Sequence, residues 1–247
     1  MLANSYAVLL WSSLSLFVQP VVMSVRSEVN SVRRILLLFM VLEWTAATAD
    51  AQYTDLLSNR SLRHWMTPTG GRVESGWTFD PDGTLHLQGR GGNIVTRRQY
   101  ENFELWFDFR ISEKGNNGVK YRVRKYGDSL LGCEYQILDD NAFPTQDRNH
   151  LTASLYDVFD PRVNPTRQNP PNEFNVGRIL VQGNRIRHWL NGQLTIDACA
   201  GTRHWNEAIA NSKFSDRAGF GQNRCGRIML TDHNSEVWFR NLFIRRR

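Results

Sequence analysis

The chain has 247 residues, of which 41% are hydrophobic and 22% are charged. This composition is typical of a globular protein, and it excludes a disordered chain and a protein with many membrane spans. The formal net charge is +6 at pH 7, but the basic residues are spread along the chain and are not interleaved with aromatic residues. We therefore expect no nucleic-acid partner.

The N-terminal segment has the pattern of a secretory signal peptide. Arg33 and Arg34 precede a short apolar run at 35–42, and small residues follow as far as Ala51. A positive region, a short apolar region and an A-x-A cleavage site are typical of export signals. The apolar run is too short for the ~20 residues that cross a bilayer.

We expect residues 1–51 to be this signal peptide, with Met23 as an alternative start of translation. An uncleaved membrane anchor is the competing interpretation of the same segment. Cleavage after Ala51 would leave residues 52–247 as a single domain that is secreted or periplasmic. Such a domain would have no stable insertion in the membrane.

Alternating apolar and polar residues predict strands through the rest of the chain. The clearest strand is 103–111, in which every second residue from Phe103 to Ile111 is apolar. A period of two over this length indicates one buried face and one exposed face. The same reasoning predicts strands at 119–124, 133–138, 227–231 and 236–244, a hairpin at 185–198, and one short helix at 204–211.

Turn signals between these strands support an all-β fold. Asn191-Gly192 lies between two strand-like runs and suits a two-residue type I′ turn. Many short strands joined by such turns predict an antiparallel β-sandwich with one short helix.

The three cysteines match no zinc-ligand spacing. Cys133 falls on an apolar strand face and is predicted to be a small core residue. An exported protein can pair two of its three thiols. The candidate pair is Cys199 with Cys225.

Motifs of several large enzyme classes are absent from the sequence. There is no Gly-rich phosphate loop, no H-E-x-x-H and no G-x-S-x-G. Nucleotide-binding, zinc-protease and serine-hydrolase functions therefore have no support.

Polar residues share one face of two predicted strands. Lys120 and Arg122 alternate with core-facing residues in 119–124, and Glu134 and Gln136 do so in 133–138. The residues expected to face the core from the first of these strands are Val119, Tyr121 and Val123. The polar row is either ordinary solvent surface or a groove for a polar ligand, and the nearby pair Asp139-Asp140 makes the groove as plausible as the surface. Sugars need such planar hydrogen-bonding groups.

Two histidines invite different interpretations. His233 ends a predicted strand beside Asp232, where a site at the rim of the sheet could form, although a lone histidine is more often structural. His188 lies mid-strand on an apolar face, and we expect it to be a core histidine.

In combination, these residues resemble the 3-keto-disaccharide hydrolase family over roughly 62–247. The resemblance rests on the order and spacing of short motifs: Gly115-Asn116-Asn117-Gly118-Val119, Tyr121-Arg122, Cys133-Glu134-Tyr135-Gln136-Ile137-Leu138-Asp139, Ser154-Leu155-Tyr156, Asn172-Glu173-Phe174-Asn175, His188-Trp189-Leu190-Asn191-Gly192, Ser212-Lys213-Phe214, Leu230-Thr231-Asp232-His233 and Val237-Trp238-Phe239-Arg240-Asn241. It implies a jelly roll of the concanavalin A-like lectin and glucanase type.

The resemblance also implies a substrate whose sugar carries a ketone at C3. The ketone acidifies the C2 proton, so that a base can form an enolate that expels the group at C1, and water then adds back. This route needs a base, a group that stabilises the enolate and a proton donor for the leaving group. The E-x-D-x-x-E strand signature of lectin-like glucanases is missing from the sequence, which fits this chemistry.

From the resemblance we assign hypothetical roles. His233 and Glu134 are the candidate acid and base, and Asp232 is a candidate to orient His233, although strand alternation argues against that orientation. The expected substrate contacts are Arg122, Lys120, Gln136, Asp139 and Tyr156. No cofactor is required by the sequence, although a divalent cation held by Asp139, Glu134 or His233 is conceivable.

Two other classes of function remain open. Thr231 stands where the family usually has Gln, so that a non-catalytic carbohydrate-binding module of lectin type is one alternative. A structural or interaction domain is the other. A predicted signal peptide directly before a lone domain favours an exported enzyme over both.

Overall fold

The computed structural model describes residues 52–162 and 168–247; the predicted signal peptide lies outside these residues. Within them, the chain forms thirteen strands and one α-helix, α1 (Arg203–Ala210). The strands are β1 (Thr54–Asp55), β2 (Trp65–Met66), β3 (Trp77–Phe79), β4 (Leu85–Leu87), β5 (Ile94–Thr96), β6 (Phe103–Ile111), β7 (Asn116–Tyr126), β8 (Ser129–Leu138), β9 (Asn175–Gln182), β10 (Arg185–Leu190), β11 (Gln193–Cys199), β12 (Arg227–Leu230) and β13 (Val237–Arg246).

Two antiparallel sheets contain all of these strands. The large sheet has the order β11-β10-β9-β6-β13-β4-β3, with β1 paired to β13, and the small sheet has the order β2-β5-β12-β7-β8. The architecture confirms the predicted all-β fold, an antiparallel β-sandwich with one short helix. In the described part of the chain, no helix is long and apolar enough to cross a membrane.

The core lies between the two sheets and follows from the alternation in each strand. Phe107 and Phe109 on β6 are fully buried, as are Tyr121 on β7 and Tyr135 on β8. The Tyr135 ring meets the Phe107 ring edge-on, with centroids 5.2 Å apart. Since alternate residues of a strand point to opposite faces, the small sheet presents the intervening residues on its outer face.

Several local predictions are confirmed. The hairpin β10–β11 turns at Asn191 and Gly192, whose φ angles of 46° and 82° suit a type I′ turn. Helix α1 begins after Thr202, whose hydroxyl accepts a hydrogen bond from the Trp205 amide. His188 is completely buried, its Nε2 is 2.8 Å from the Tyr121 hydroxyl, and burial lowers its pKa to about 3.

The cysteines do not form the disulfide that the sequence suggested. Cys133 is a buried core residue, as predicted, whereas Cys199 and Cys225 are exposed and carry free thiols.

A β-bulge in β7 corrects the prediction for the second half of that strand. The pairing with β8 shifts between Tyr121 and Arg124, and Arg122 has a φ of 53°. The bulge adds a residue and turns the following side chains to the opposite face. Val123 therefore packs against Val95 and Met229 in a small separate cluster rather than in the main core.

Candidate active site

An ion pair on the outer face of the small sheet is the centre of the candidate site. Lys120 on β7 lies directly opposite Glu134 on β8, and the Lys120 Nζ is 3.4 Å from the Glu134 Oε2. The Glu134 side chain is only 5% exposed, although it leaves the sheet on the side away from the core. A carboxylate this deeply buried needs positive partners, and Lys120 supplies one of them.

The Glu134 carboxylate rests directly against the backbone of Gly118. A Cβ atom at this position would lie 2.2 Å from the Glu134 Oε1, far inside van der Waals contact. The absence of a side chain at residue 118 is therefore what makes room for the carboxylate beside Lys120.

His233 completes the charged cluster from the loop after β12. Its Nε2 lies 3.8 Å from the Glu134 Oε1, a distance suited to an ion pair but too long for a hydrogen bond, and its side chain is 44% exposed. Within the described residues the buried Glu134 Oε1 has no hydrogen-bond partner. Such an oxygen is available to accept a proton or a hydrogen bond from His233 or a ligand after a small movement.

The charge state of Glu134 follows from its neighbours. Burial raises the pKa of this carboxyl, but the positive charges of Lys120, His233 and Lys213 outweigh burial and hold the pKa below its usual value. Glu134 is therefore an ionised carboxylate at neutral pH, and it holds cationic groups around it.

Tyr156 and Lys213 lie in two loops near Glu134 and interact electrostatically with its carboxylate. The Tyr156 amide donates a hydrogen bond of 3.0 Å to the Glu134 carbonyl oxygen, and the Lys213 Nζ lies 4.0 Å from the centre of the Tyr156 ring. Burial and the negative charge of Glu134 raise the pKa of the Tyr156 hydroxyl. This hydroxyl thus stays protonated and can donate a hydrogen bond at neutral pH.

Sequence reasoning did not select Lys213 as a site residue. It is adjacent to Ser212 and Phe214 in one of the motifs that carry the family resemblance, and this was its only signal. Lys213 follows α1 in a segment without strand periodicity, so alternation could not place it beside Tyr156.

The structure does not bring Arg122 to this cluster, which corrects its assignment as a substrate contact. Its side chain is 1% exposed and donates hydrogen bonds to the carbonyl oxygens of Gly221 and Gly183. The bulge in β7 is the cause, because it takes Arg122 off the face that carries Lys120.

Asp232 does not orient His233, which corrects a second assignment. One of its carboxylate oxygens accepts the Gly92 amide at 2.7 Å, and the other accepts the Asn234 amide at 2.8 Å. Asp232 therefore fixes the turn on which His233 lies and joins it to the loop before β5.

Gln136 and Asp139 are buried and bonded to neighbouring protein groups. The Gln136 Nε2 donates to the Asn116 Oδ1 at 3.1 Å, and the Asp139 Oδ2 accepts the Lys114 amide at 2.8 Å. These bonds tie the ends of β7 and β8 together. Their assignment as substrate contacts stays a prediction.

A divalent cation held by Asp139, Glu134 or His233 stays a prediction. Among the residues that the structure describes, no group of three or more His, Cys, Asp or Glu side chains converges closely enough to hold a metal ion. Glu134 and His233 do meet, whereas the contacts of Asp139 are with the turn at Lys114.

Comparison with known proteins identifies the family of the chain. A family model described as a 3-keto-alpha-glucoside-1,2-lyase-like domain matches residues 52–245. The 3-keto-disaccharide hydrolase of Bacteroides thetaiotaomicron is 28% identical over 229 residues, and the match covers 78% of this chain and 78% of that relative.

Two solved structures from Parabacteroides distasonis, both assigned provisionally as glycosyl hydrolases, are similar to the chain. One has a TM-score of 0.71 at 28% identity and covers 78% of this chain and 93% of its own. The other has a TM-score of 0.65 at 24% identity over 79% of this chain and 100% of its own, and it supports the fold alone. The family model matches most of the chain, including the strands and loops that carry Lys120, Glu134 and His233. The chain therefore belongs to the family of 3-keto-alpha-glucoside-1,2-lyase-like domains.

Proposed function

We propose that the chain is an exported hydrolase of 3-keto-disaccharides or related 3-keto-glycosides, acting by elimination and rehydration. The observation that carries this proposal is the buried Glu134 carboxylate, which Lys120 and His233 approach on the outer face of a sheet. Family membership and the hydrolase relative supply the substrate class. The proposal makes carbohydrate the partner and requires no cofactor.

The reaction has two balanced stages. A base takes the proton from C2, the electron pair moves to the C3 ketone as an enolate, and collapse of the enolate breaks the bond from C1 to the leaving oxygen, which takes up a proton. Water then adds to C1 of the resulting enone, and a proton returns to C2. The products are a 3-keto sugar and the released alcohol, so that the sum is hydrolysis.

His233 is the group that we assign to proton transfer at C2. It is the more exposed member of the pair, whereas Glu134 lies beneath it and is almost fully buried. A carboxylate next to a histidine orients the imidazole and stabilises the imidazolium that forms when the histidine accepts a proton.

Lys120 and Tyr156 take the two remaining roles. The Lys120 ammonium is held by Glu134 and stabilises negative charge on the C3 oxygen. The Tyr156 hydroxyl, protonated at neutral pH because its pKa is raised, donates to the leaving oxygen. This assignment uses one carboxylate, whereas ordinary glycosidases use two at a fixed separation.

The test is release of monosaccharide from a 3-keto-disaccharide and from its unoxidised parent, each with and without a chelator. We expect release from the keto sugar alone, unaffected by the chelator, and a loss of at least ~100-fold in Glu134→Gln and His233→Asn. Matched controls are Glu113→Gln and His204→Asn, whose side chains are exposed. Full activity in both site variants would refute the assignment of Glu134 and His233 to the active site. Loss of activity with the chelator would show that the enzyme needs a metal ion.

Binding of unoxidised sugar without release from either compound would favour the lectin alternative. The structure gives Thr231 a structural role, which weakens the argument that this residue marks a loss of activity. Its hydroxyl is buried and donates to the Gly118 carbonyl oxygen at 3.1 Å, so that it supports the strand beneath Glu134.

Export is the part of the proposal that rests on the N-terminal sequence pattern. Arg33, Arg34 and the apolar run at 35–42 precede the A-x-A site at Ala51. Expression of the full chain in a host with a Sec pathway should give a mature protein that begins after Ala51 outside the cytoplasm. An uncut chain in the membrane fraction would support the anchor interpretation instead.

A further inference from the structure

The Tyr156 ring is held by side chains that the proposed mechanism does not use. The His150 imidazole stacks on it with ring centroids 4.6 Å apart and planes 26° from parallel. The Lys213 ammonium also lies over the ring, 4.0 Å from its centre. Two separate loops thus contribute one contact each to the same half-buried phenol.

Asp157 connects these two contacts. Its Oδ1 is 2.7 Å from the His150 Nε2, and its Oδ2 accepts the Lys213 amide at 2.7 Å. The φ of Asp157 is 61°, a left-handed conformation that costs energy in a residue with a Cβ atom. The two short bonds are part of what holds the backbone in that conformation.

The imidazole is fixed on its other side as well. The Gln146 Nε2 lies 2.7 Å from the His150 Nδ1, and an amide NH₂ can only donate. Nδ1 is then the acceptor, and the Nε2 proton is donated to Asp157. Both ring nitrogens are engaged, so that the plane on which Tyr156 stacks cannot turn freely.

We infer that Asp157 is a positioning residue: one carboxylate sets His150 and Lys213 against the Tyr156 ring and thereby holds the Tyr156 hydroxyl where the leaving oxygen departs. This inference rests on the proposed function, because it assigns Asp157 to the step in which the bond at C1 breaks. Asp157 acts through Tyr156 and does not touch the substrate.

The role predicts a dependence on the leaving group that a merely structural role would not give. A sugar alcohol is a poor leaving group and needs a proton, whereas 4-nitrophenolate leaves readily without one. In Asp157→Asn, an NH₂ group takes the place of one carboxylate oxygen and cannot accept, so that one of the two bonds is lost. We expect kcat on a 3-keto-disaccharide to fall ~100-fold, the scale of a lost general acid, and kcat on a 4-nitrophenyl 3-keto-glucoside to fall less than about fivefold.

The controls separate this inference from the proposed function. Asp160→Asn changes an exposed acid three residues away, whose ion pair with Arg148 is 3.6 Å long, and should leave both rates unchanged. Glu134→Gln should lower both rates, since proton abstraction at C2 is needed for every leaving group. Wild-type protein inactive on both keto substrates would refute the proposed function itself.

Equal losses on the two substrates in a folded Asp157→Asn variant would overturn the positioning role. If that variant does not fold, His150→Asn decides, because it removes the stacked imidazole but leaves the Asp157 bond to Lys213. Tyr156→Phe should show the same dependence on the leaving group, and adding Asp157→Asn to it should cost little more on the disaccharide. A Tyr156→Phe variant with full disaccharide activity would also overturn the inference.

Discussion

A single methyl group added at Gly118 tests whether the position of the Glu134 carboxylate decides activity. In Gly118→Ala, the new Cβ would lie 2.2 Å from the Glu134 Oε1 and 2.9 Å from its Cδ and Cγ. The carboxylate must retreat by roughly 1 Å to reach van der Waals separation. It then cannot keep both its 3.4 Å approach to Lys120 and its 3.8 Å approach to His233.

The expected losses differ in size for stability and for activity. Overpacking costs about 1–3 kcal/mol, and the lower end applies here because the clashing atoms end a flexible side chain. A misplacement of about 1 Å in a catalytic group can cost about 100-fold in rate. We therefore expect kcat on a 3-keto-disaccharide to fall about 100-fold, with a drop in the free energy of unfolding of about 1 kcal/mol.

The measurement is kcat together with urea unfolding for Gly118→Ala, Glu134→Asp and the double variant. Aspartate is one methylene shorter, so it vacates part of the space that the new methyl group needs. The double variant should therefore lose less than the product of the two single losses. Wild-type kcat in Gly118→Ala, or losses that simply multiply, would refute the reasoning.

Three further predictions concern the buried polar side chains of Arg122, Glu104 and His188. Arg122→Met should lower the midpoint of thermal unfolding, with KM unchanged at temperatures where it is folded, because Arg122 bonds to protein carbonyls; a selective rise in KM would restore it as a substrate contact. Glu104 is 2% exposed and paired with three arginines, so Glu104→Gln should lower the free energy of unfolding by about 1.5–3 kcal/mol at pH 7 in urea titrations; an unchanged midpoint would refute this. His188 has a pKa of about 3 in the folded chain, whereas its ordinary value is 6.5. As the pH falls, this histidine therefore becomes protonated in the unfolded chain before it does in the folded chain. Its contribution to stability is present above pH 6.5 and is lost as the pH falls towards 3, by roughly 3 kcal/mol at pH 4. His188→Gln should therefore show a smaller loss of unfolding free energy between pH 7 and pH 4, and an equal loss would contradict this account.

The sequence predicted the parts of the fold that depend on regular alternation. β6 has the predicted bounds, Phe103–Ile111, because its side chains alternate without interruption between core and surface. The hairpin turn at Asn191 also followed from local chemistry, since two consecutive positive φ angles need Asn and Gly. On the same basis, Lys120 and Glu134 were correctly placed on one face of neighbouring strands.

What the sequence could not predict depends on irregular backbone and on loops. The bulge at Arg122 carries no motif, so alternation was extended through it and gave the wrong face to Arg122 and Val123. His150 and Lys213 lie in a 3-10 turn and a loop, where no period relates sequence to direction. Only the tertiary structure brings them to Tyr156.

The lysines around Glu134 support an anionic intermediate. An ordinary glycosidase gathers carboxylates around a sugar that becomes positively charged in the transition state. Here Lys120, His233 and Lys213 act on one buried carboxylate and lower its pKa. Lys120 and Lys213 present two ammonium groups beside this carboxylate, and ammonium groups stabilise a ligand on which negative charge develops. An enolate at C3 is such a ligand, and an unoxidised sugar is not, which is why the ketone is expected to decide whether this site turns a glycoside over.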